Sequence, residues 1–149
     1  MKLLFYSLPV LCGVALAIQA ILNGQLRVAI GSPLFAALIS FLTGTLLLVL
    51  LILITREPIP AASTLLQVSW IKWTGGLLGA FFVTAVIISV QKIPSANLFA
   101  LIITSQFITA LLIDHFGLFG AIQTAINPLK LAGVALLIGG AYLIIKKNF

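Results

Sequence analysis

Acidic residues are almost missing: Glu57 and Asp114 are the only two in 149 residues, and all charged residues together make up 7%. A soluble domain of this size needs several times that charge to cover its surface, so a water-soluble globular fold is excluded. One cysteine, Cys12, excludes an intramolecular disulfide; it lies in the first apolar run and reads as a small lipid- or helix-facing residue. There is one histidine, no Cys/His metal set, no Ser/His/Asp arrangement and no Gly-rich phosphate loop. Enzymatic chemistry, a metal or a cofactor therefore has nothing to stand on. The net charge of +6 comes from eight basic residues set singly between apolar runs, apart from Lys146 and Lys147. That is the pattern of topology-setting and snorkelling cations, and it argues against nucleic acid as a partner.

What the chain does have is apolar length: 62% hydrophobic residues and a mean hydropathy of +1.33. A membrane-spanning helix needs about 20 apolar residues. Five segments qualify, at about 3–22, 33–54, 70–90, 95–114 and 129–145, giving an all-α integral membrane protein with one transmembrane domain over 1–149. Gly24, Gly31 and Pro33 are expected to break the chain after the first span, and Pro58 and Pro60 after the second. Trp70, Lys72 and Trp73 anchor the third span at an interface, Pro94 and Ser95 start the fourth, and Pro128 and Lys130 open the fifth. The N-terminus begins like a secretory signal, but its apolar run is too long and no clean cleavage site follows, so it reads as a retained helix. The ten residues 117–126 are too short to span and are expected at the membrane surface.

An odd number of spans puts the termini on opposite sides of the bilayer. The positive charges then divide evenly: Lys2, Arg56, Lys72 and Lys130 on one side, Arg27, Lys92, Lys146 and Lys147 on the other. Orientation follows an excess of Lys and Arg on the cytoplasmic side, and here there is none. The plain expectation is that short loops make the count noisy and one orientation wins. The sharper one is dual topology, in which opposed copies pair as an antiparallel homodimer of ten helices, the inverted-repeat arrangement of many transporters. Within the chain, "LFAALIS" (34–40) faintly echoes "LFALIIT" (98–104).

Polar residues inside the spans are the candidate functional groups. Gln19 and Asn23 fall one turn apart on one face of the first span. Such amides either hydrogen-bond across helices as glue or line a cavity that binds a polar substrate. The fourth span carries Asn97, Thr104, Ser105, Gln106 and Thr109 over about half its circumference, judged by the ~100° helical step. Ser and Thr can bond their own backbone, so Gln106 is the substrate-binding candidate of this span. Asp114 and His115 form the only adjacent acid–imidazole pair. They fit proton or cation coupling, or, more plainly, a hydrogen-bonded cluster with nearby loop residues at the membrane edge. No acid sits mid-span, so exchange driven by a buried midplane carboxylate is not supported. Gly75 and Gly79, the stripe Ala36, Ser40 and Gly44, and Ala135 with Gly139 offer small surfaces for close helix packing.

Four stretches taken in order, "QAILNGQLR" (19–27), "GSPLFAALISFLTG" (31–44), "WIKWTGGLLGA" (70–80) and "IDHFGLFG" (113–120), resemble the small five-helix YdcZ-type proteins of the drug/metabolite transporter superfamily. One departure is Ser105 before Gln106, where that family often has glycine. The resemblance implies a multi-pass protein of a bacterial inner membrane that exports small molecules. Its members are similar in occurring as dual-topology singletons, opposed pairs or fused ten-helix chains. The expected function is a secondary transporter of a small polar or amphipathic metabolite or drug, working by alternating access, with Gln19, Asn23 and Gln106 around the substrate. The alternative is a non-transporting subunit that stabilises or regulates a partner membrane protein. A channel would need a continuous polar lining, which the second and fifth spans are too apolar to give.

Overall fold

The structure is a computed structural model that describes residues 2–146, with side chains from Tyr6 onward. Lys147 and the side chain of Lys2, both part of the charge count, lie outside the described residues. Every regular element among the described residues is helical. Five helices, Tyr6–Ile30, Pro33–Thr55, Trp70–Ser89, Ser95–Phe116 and Pro128–Lys146, are long and apolar enough to cross a membrane.

The chain divides into two compact units, Met1–Lys92 and Ile93–Phe149. The first holds α1 (Lys2–Ile30), α2 (Pro33–Thr55), the short α3 (Ala62–Leu66), a 3-10 turn at Trp70–Trp73 and α4 (Thr74–Ser89). The second holds α5 (Ser95–Phe116), a 3-10 turn at Leu118–Gly120 and α6 (Pro128–Lys146).

Helix α1 departs from expectation. It does not stop near residue 22 but runs through Gly24 to Ile30. The physical reason is packing. A Cβ at Gly24 would lie 2.6 Å from Gln91 Nε2 and 2.7 Å from Val90 Cγ1, so the missing side chain is where the end of α4 fits. The break comes instead at Gly31, whose φ of +76° suits glycine and whose N–H closes on Arg27 O at 2.8 Å. Ser32 then caps α2, its Oγ accepting from Phe35 N, and Pro33 occupies the first turn, where its missing N–H costs nothing. This two-residue connection folds α2 back along α1.

The third span also differs in detail, because its first turn, Trp70–Trp73, is 3-10 and the α-helix starts at Thr74. Trp70 and Trp73 are both exposed, as interfacial anchors are. At the far end of α2, Arg56 takes a left-handed conformation (φ 54°, ψ 38°) and its N–H closes on Ile52 O, ahead of Pro58.

The core of the first unit is narrow. Ala36 and Ala37 of α2 pack on Ile87 of α4, with Leu26 and Val83 at the margin. Ala20, Asn23 and Gly24 are buried, and together with half-buried Arg27 they form an i, i+3, i+4, i+7 stripe on α1. Small residues set this closeness, because between lipid-bathed helices van der Waals contact replaces the hydrophobic drive. Gly79 of α4 takes part, lying within ordinary contact distance of the Phe41 ring, whereas Gly75 and Gly44 meet no neighbour within 4 Å. In the second unit α5 packs on α6. The buried small residue of α6 is Ala141, while Ala135 and Gly139 lie on its exposed side.

Candidate functional site

In the first unit the packing of α1, α2 and α4 loosens beyond the Ala36–Ile87 core. A cavity of about 270 Å³ opens there, lined by Gln19, Ser40, Phe41, Gly44, Thr45, Leu48 and Val83. Five of these belong to α2, at spacings of one, three and four that keep them on one helical face. Gly44 widens the space because it contributes no side chain, and its would-be Cβ meets nothing within 4 Å.

The two amides of α1 divide their work. Gln19 is exposed and lines the cavity. Asn23, one turn on, is buried at 8% exposure, and its Nδ2 donates to Ser40 Oγ at 3.2 Å. Asn23 thus stands behind the cavity wall and holds a residue that lines it. Thr45 Oγ1 donates to the carbonyl of Phe41 at 2.8 Å, which fixes its rotamer. The cavity therefore presents one carboxamide, one hydroxyl backed by an amide, one hydroxyl bonded to its own helix, and a phenyl ring. No ionisable side chain lines it.

Beside the core, Arg27 meets the end of α4. Its Nη1 donates to Ile87 O at 3.4 Å and Ile88 O at 3.3 Å, carbonyls of the last turn. These groups have no partner within their own helix, and a cation there also complements the negative end of the helix dipole. The sequence marks Arg27 only as a topology charge. An arginine one turn after a buried glycine was the available signal, but its target on α4 is 60 residues away.

The remaining candidates lie in the second unit. Asn97 is buried near the start of α5. Thr104, Ser105 and Thr109 each donate to a carbonyl three or four residues back, Ala100, Ile102 and Ser105 respectively, so their hydroxyls serve their own helix. Gln106 is on the exposed side of α5. Thr104 also lines an apolar groove of about 230 Å³ between α5 and α6, with Ala100, Ile103, Leu137 and Ala141 among its walls.

Asp114 and His115 are half-buried at the end of α5 and gather the following loop. Asp114 O accepts from Thr124 N at 2.9 Å. His115 O accepts from Gln123 Nε2 at 3.1 Å, and His115 Nδ1 accepts from Ile126 N at 3.4 Å. Lys130 folds onto the same loop, its Nζ donating to Thr124 Oγ1 at 3.1 Å and to Ala125 O at 3.2 Å, and Asn127 caps α6 by accepting from Lys130 N. These bonds tie the loop to the end of α5, with Asp114 taking part through its backbone carbonyl.

With this geometry in view, comparison with known proteins decides the family. The family model described as "Putative inner membrane exporter, YdcZ" matches residues 4–143. The chain belongs to the YdcZ family. It is 29% identical over 138 residues to the inner membrane protein YdcZ of Escherichia coli (strain K12), covering 92% of this chain and 91% of that one. No solved structure matches the chain. The YdcZ relationship and the five apolar helices together make this a multi-pass inner-membrane protein.

Proposed function

We propose that the protein is an inner-membrane exporter of a small polar or amphipathic molecule, and that substrate is held in the cleft of Gln19, Ser40 and Thr45. One observation carries this reading: a cavity of about 270 Å³, which brings Gln19, Ser40 and Thr45 together within a mainly apolar lining, lies between three helices that are otherwise apolar enough to face lipid. Ionisable and polar groups inside spans tend to face an interior path, not hydrocarbon. Asn23 acts by fixing Ser40. Family membership supports export as the activity. The four-to-four division of positive charges supports a dual-topology homodimer, in which the cleft would occur twice in opposed copies and rocking of one copy against the other would alternate access.

Cysteine accessibility tests the reading. Cys12 is the only native cysteine and is exposed, so it is first replaced by serine. Single cysteines at positions 19, 23 and 106 are then challenged with a water-soluble maleimide in membrane vesicles, with and without an imposed ion gradient. Labelling at 19 that changes with the gradient supports the exporter. If all three positions stay unlabelled in every condition, the exporter reading fails. The alternative, a non-transporting subunit, then stands, favoured by the way Asn23 already serves as helix-to-helix glue.

A further inference from the structure

The chemistry of the cleft wall says more about its ligand than its polarity does. Every residue that lines it is uncharged. The two acids of the chain are outside this wall: Glu57 follows the end of α2, and Asp114 belongs to α5. Among the described side chains of these three helices the cation is Arg27, and it already donates to the α4 carbonyls. An ion moved from water into such a site would lose part of its hydration without meeting a countercharge, which disfavours it against a neutral ligand. A second, opposed copy of the chain would add the same uncharged wall.

The hydrogen-bonding groups are also specific in kind. Ser40 Oγ accepts from Asn23, which leaves its O–H as a donor. Thr45 uses its O–H on Phe41 O, which leaves its oxygen as an acceptor. Gln19 offers both an N–H donor and a carbonyl acceptor. Phe41, Leu48 and Val83 supply apolar surface beside these groups. An apolar cavity of about 150 Å³ holds benzene, so about 270 Å³ leaves room for a ring-sized apolar body and one polar substituent.

We infer that the cleft selects electrically neutral amphiphiles that carry a paired hydrogen-bond donor and acceptor, such as a primary amide, over organic cations and anions of the same shape. This rests on the cleft being the substrate site. The test uses three near-isosteric probes that differ in charge at neutral pH: benzamide, benzamidine (as the cation) and benzoate. Each is titrated by equilibrium dialysis against the purified full-length protein and against Gln19→Leu and Thr45→Val. Thr45→Val keeps the side-chain shape on an exposed face of α2, so it serves if Gln19→Leu fails to fold.

The expected result is saturable benzamide binding at least about tenfold tighter than that of either ion, with a similar loss in the variants. Tighter or equal binding of benzamidinium or benzoate overturns the inference. So does benzamide binding that neither variant weakens, or saturable binding of none of the three. Transport of the same probes into vesicles separates the two claims. Selective benzamide binding without any transport removes the exporter reading and leaves the neutral-ligand site. Transport of a charged probe that Thr45→Val abolishes does the reverse.

Discussion

Asn23 shows what an amide inside a membrane helix can do when a hydroxyl is within reach. Its bond to Ser40 joins α1 to α2 at a depth where the alternative is an unsatisfied polar group, although the unfolded chain in a bilayer also finds partners. Asn23→Ala should therefore cost only about 0.6 kcal/mol and at most about 1.7. Ser40→Ala should cost a similar amount, and the double variant less than the sum, because both remove the same bond. Unfolding of purified protein in graded denaturing detergent would measure all three; strict additivity would show that the bond contributes nothing. Arg27 is a stronger case. Its guanidinium reaches two carbonyls at once, so Arg27→Gln should destabilise by about 1 kcal/mol, within the range for cations at a helix end. Arg27→Lys should recover most of this, since both bonds come from the single Nη1 and the charge at the helix end is kept. The spacing of Gln19 and Asn23 made their common face legible in the sequence. Their separation into a wall residue and a supporting residue was not legible, because it depends on where α2 lies against α1, and the Gly31–Ser32 turn sets that register.

At the scale of elements, the spans were readable because charged gaps and prolines interrupt the apolar runs. The second, fourth and fifth spans therefore begin and end within about two residues of the expected positions. The end of α1 was not readable, since glycine has opposite meanings as a breaker and as a contact surface, and only the neighbour distinguishes them. At Gly24 the neighbours are Val90 and Gln91. Gln91 can swing its amide away, but Val90 is β-branched, half-buried and has its Cγ1 only 2.7 Å from the added Cβ, so the helices themselves have to part. Gly24→Ala should lower stability by about 1–3 kcal/mol, the usual penalty for overpacking, despite alanine being the better helix former. Gly75→Ala, at a glycine that meets nothing within 4 Å in its unit, is the matched control and should be neutral or slightly stabilising. A helix end of another kind occurs at Arg56, a non-glycine residue held at φ 54°. Arg56→Gly should stabilise the C-terminus of α2 by about 1 kcal/mol in the same detergent assay, since the left-handed conformation costs an L-residue roughly that amount.

For the whole molecule, the decisive quantity is a balance of charges, and its consequence follows from insertion energetics. Four positive charges fall on each side of the five spans, so neither orientation is favoured, and small additions should tip the outcome. Two lysines added in the 57–63 loop should lock one orientation, with that loop cytoplasmic. Two added after Phe149 should lock the other, with the C-terminus cytoplasmic. A C-terminal reporter that is active only in the cytoplasm, paired with one active only outside, reads the result directly. The native chain should give both signals, and each locked variant should give one. Under the proposed antiparallel pairing each locked variant alone should lose export, because it lacks its opposed partner, and co-expression of the two should restore it. A locked variant that exports fully by itself would remove the inverted dimer while leaving the cleft of Gln19, Ser40 and Thr45 intact as a site, because that cleft is complete within one first unit. The proposed site and the proposed assembly therefore stand or fall on separate measurements.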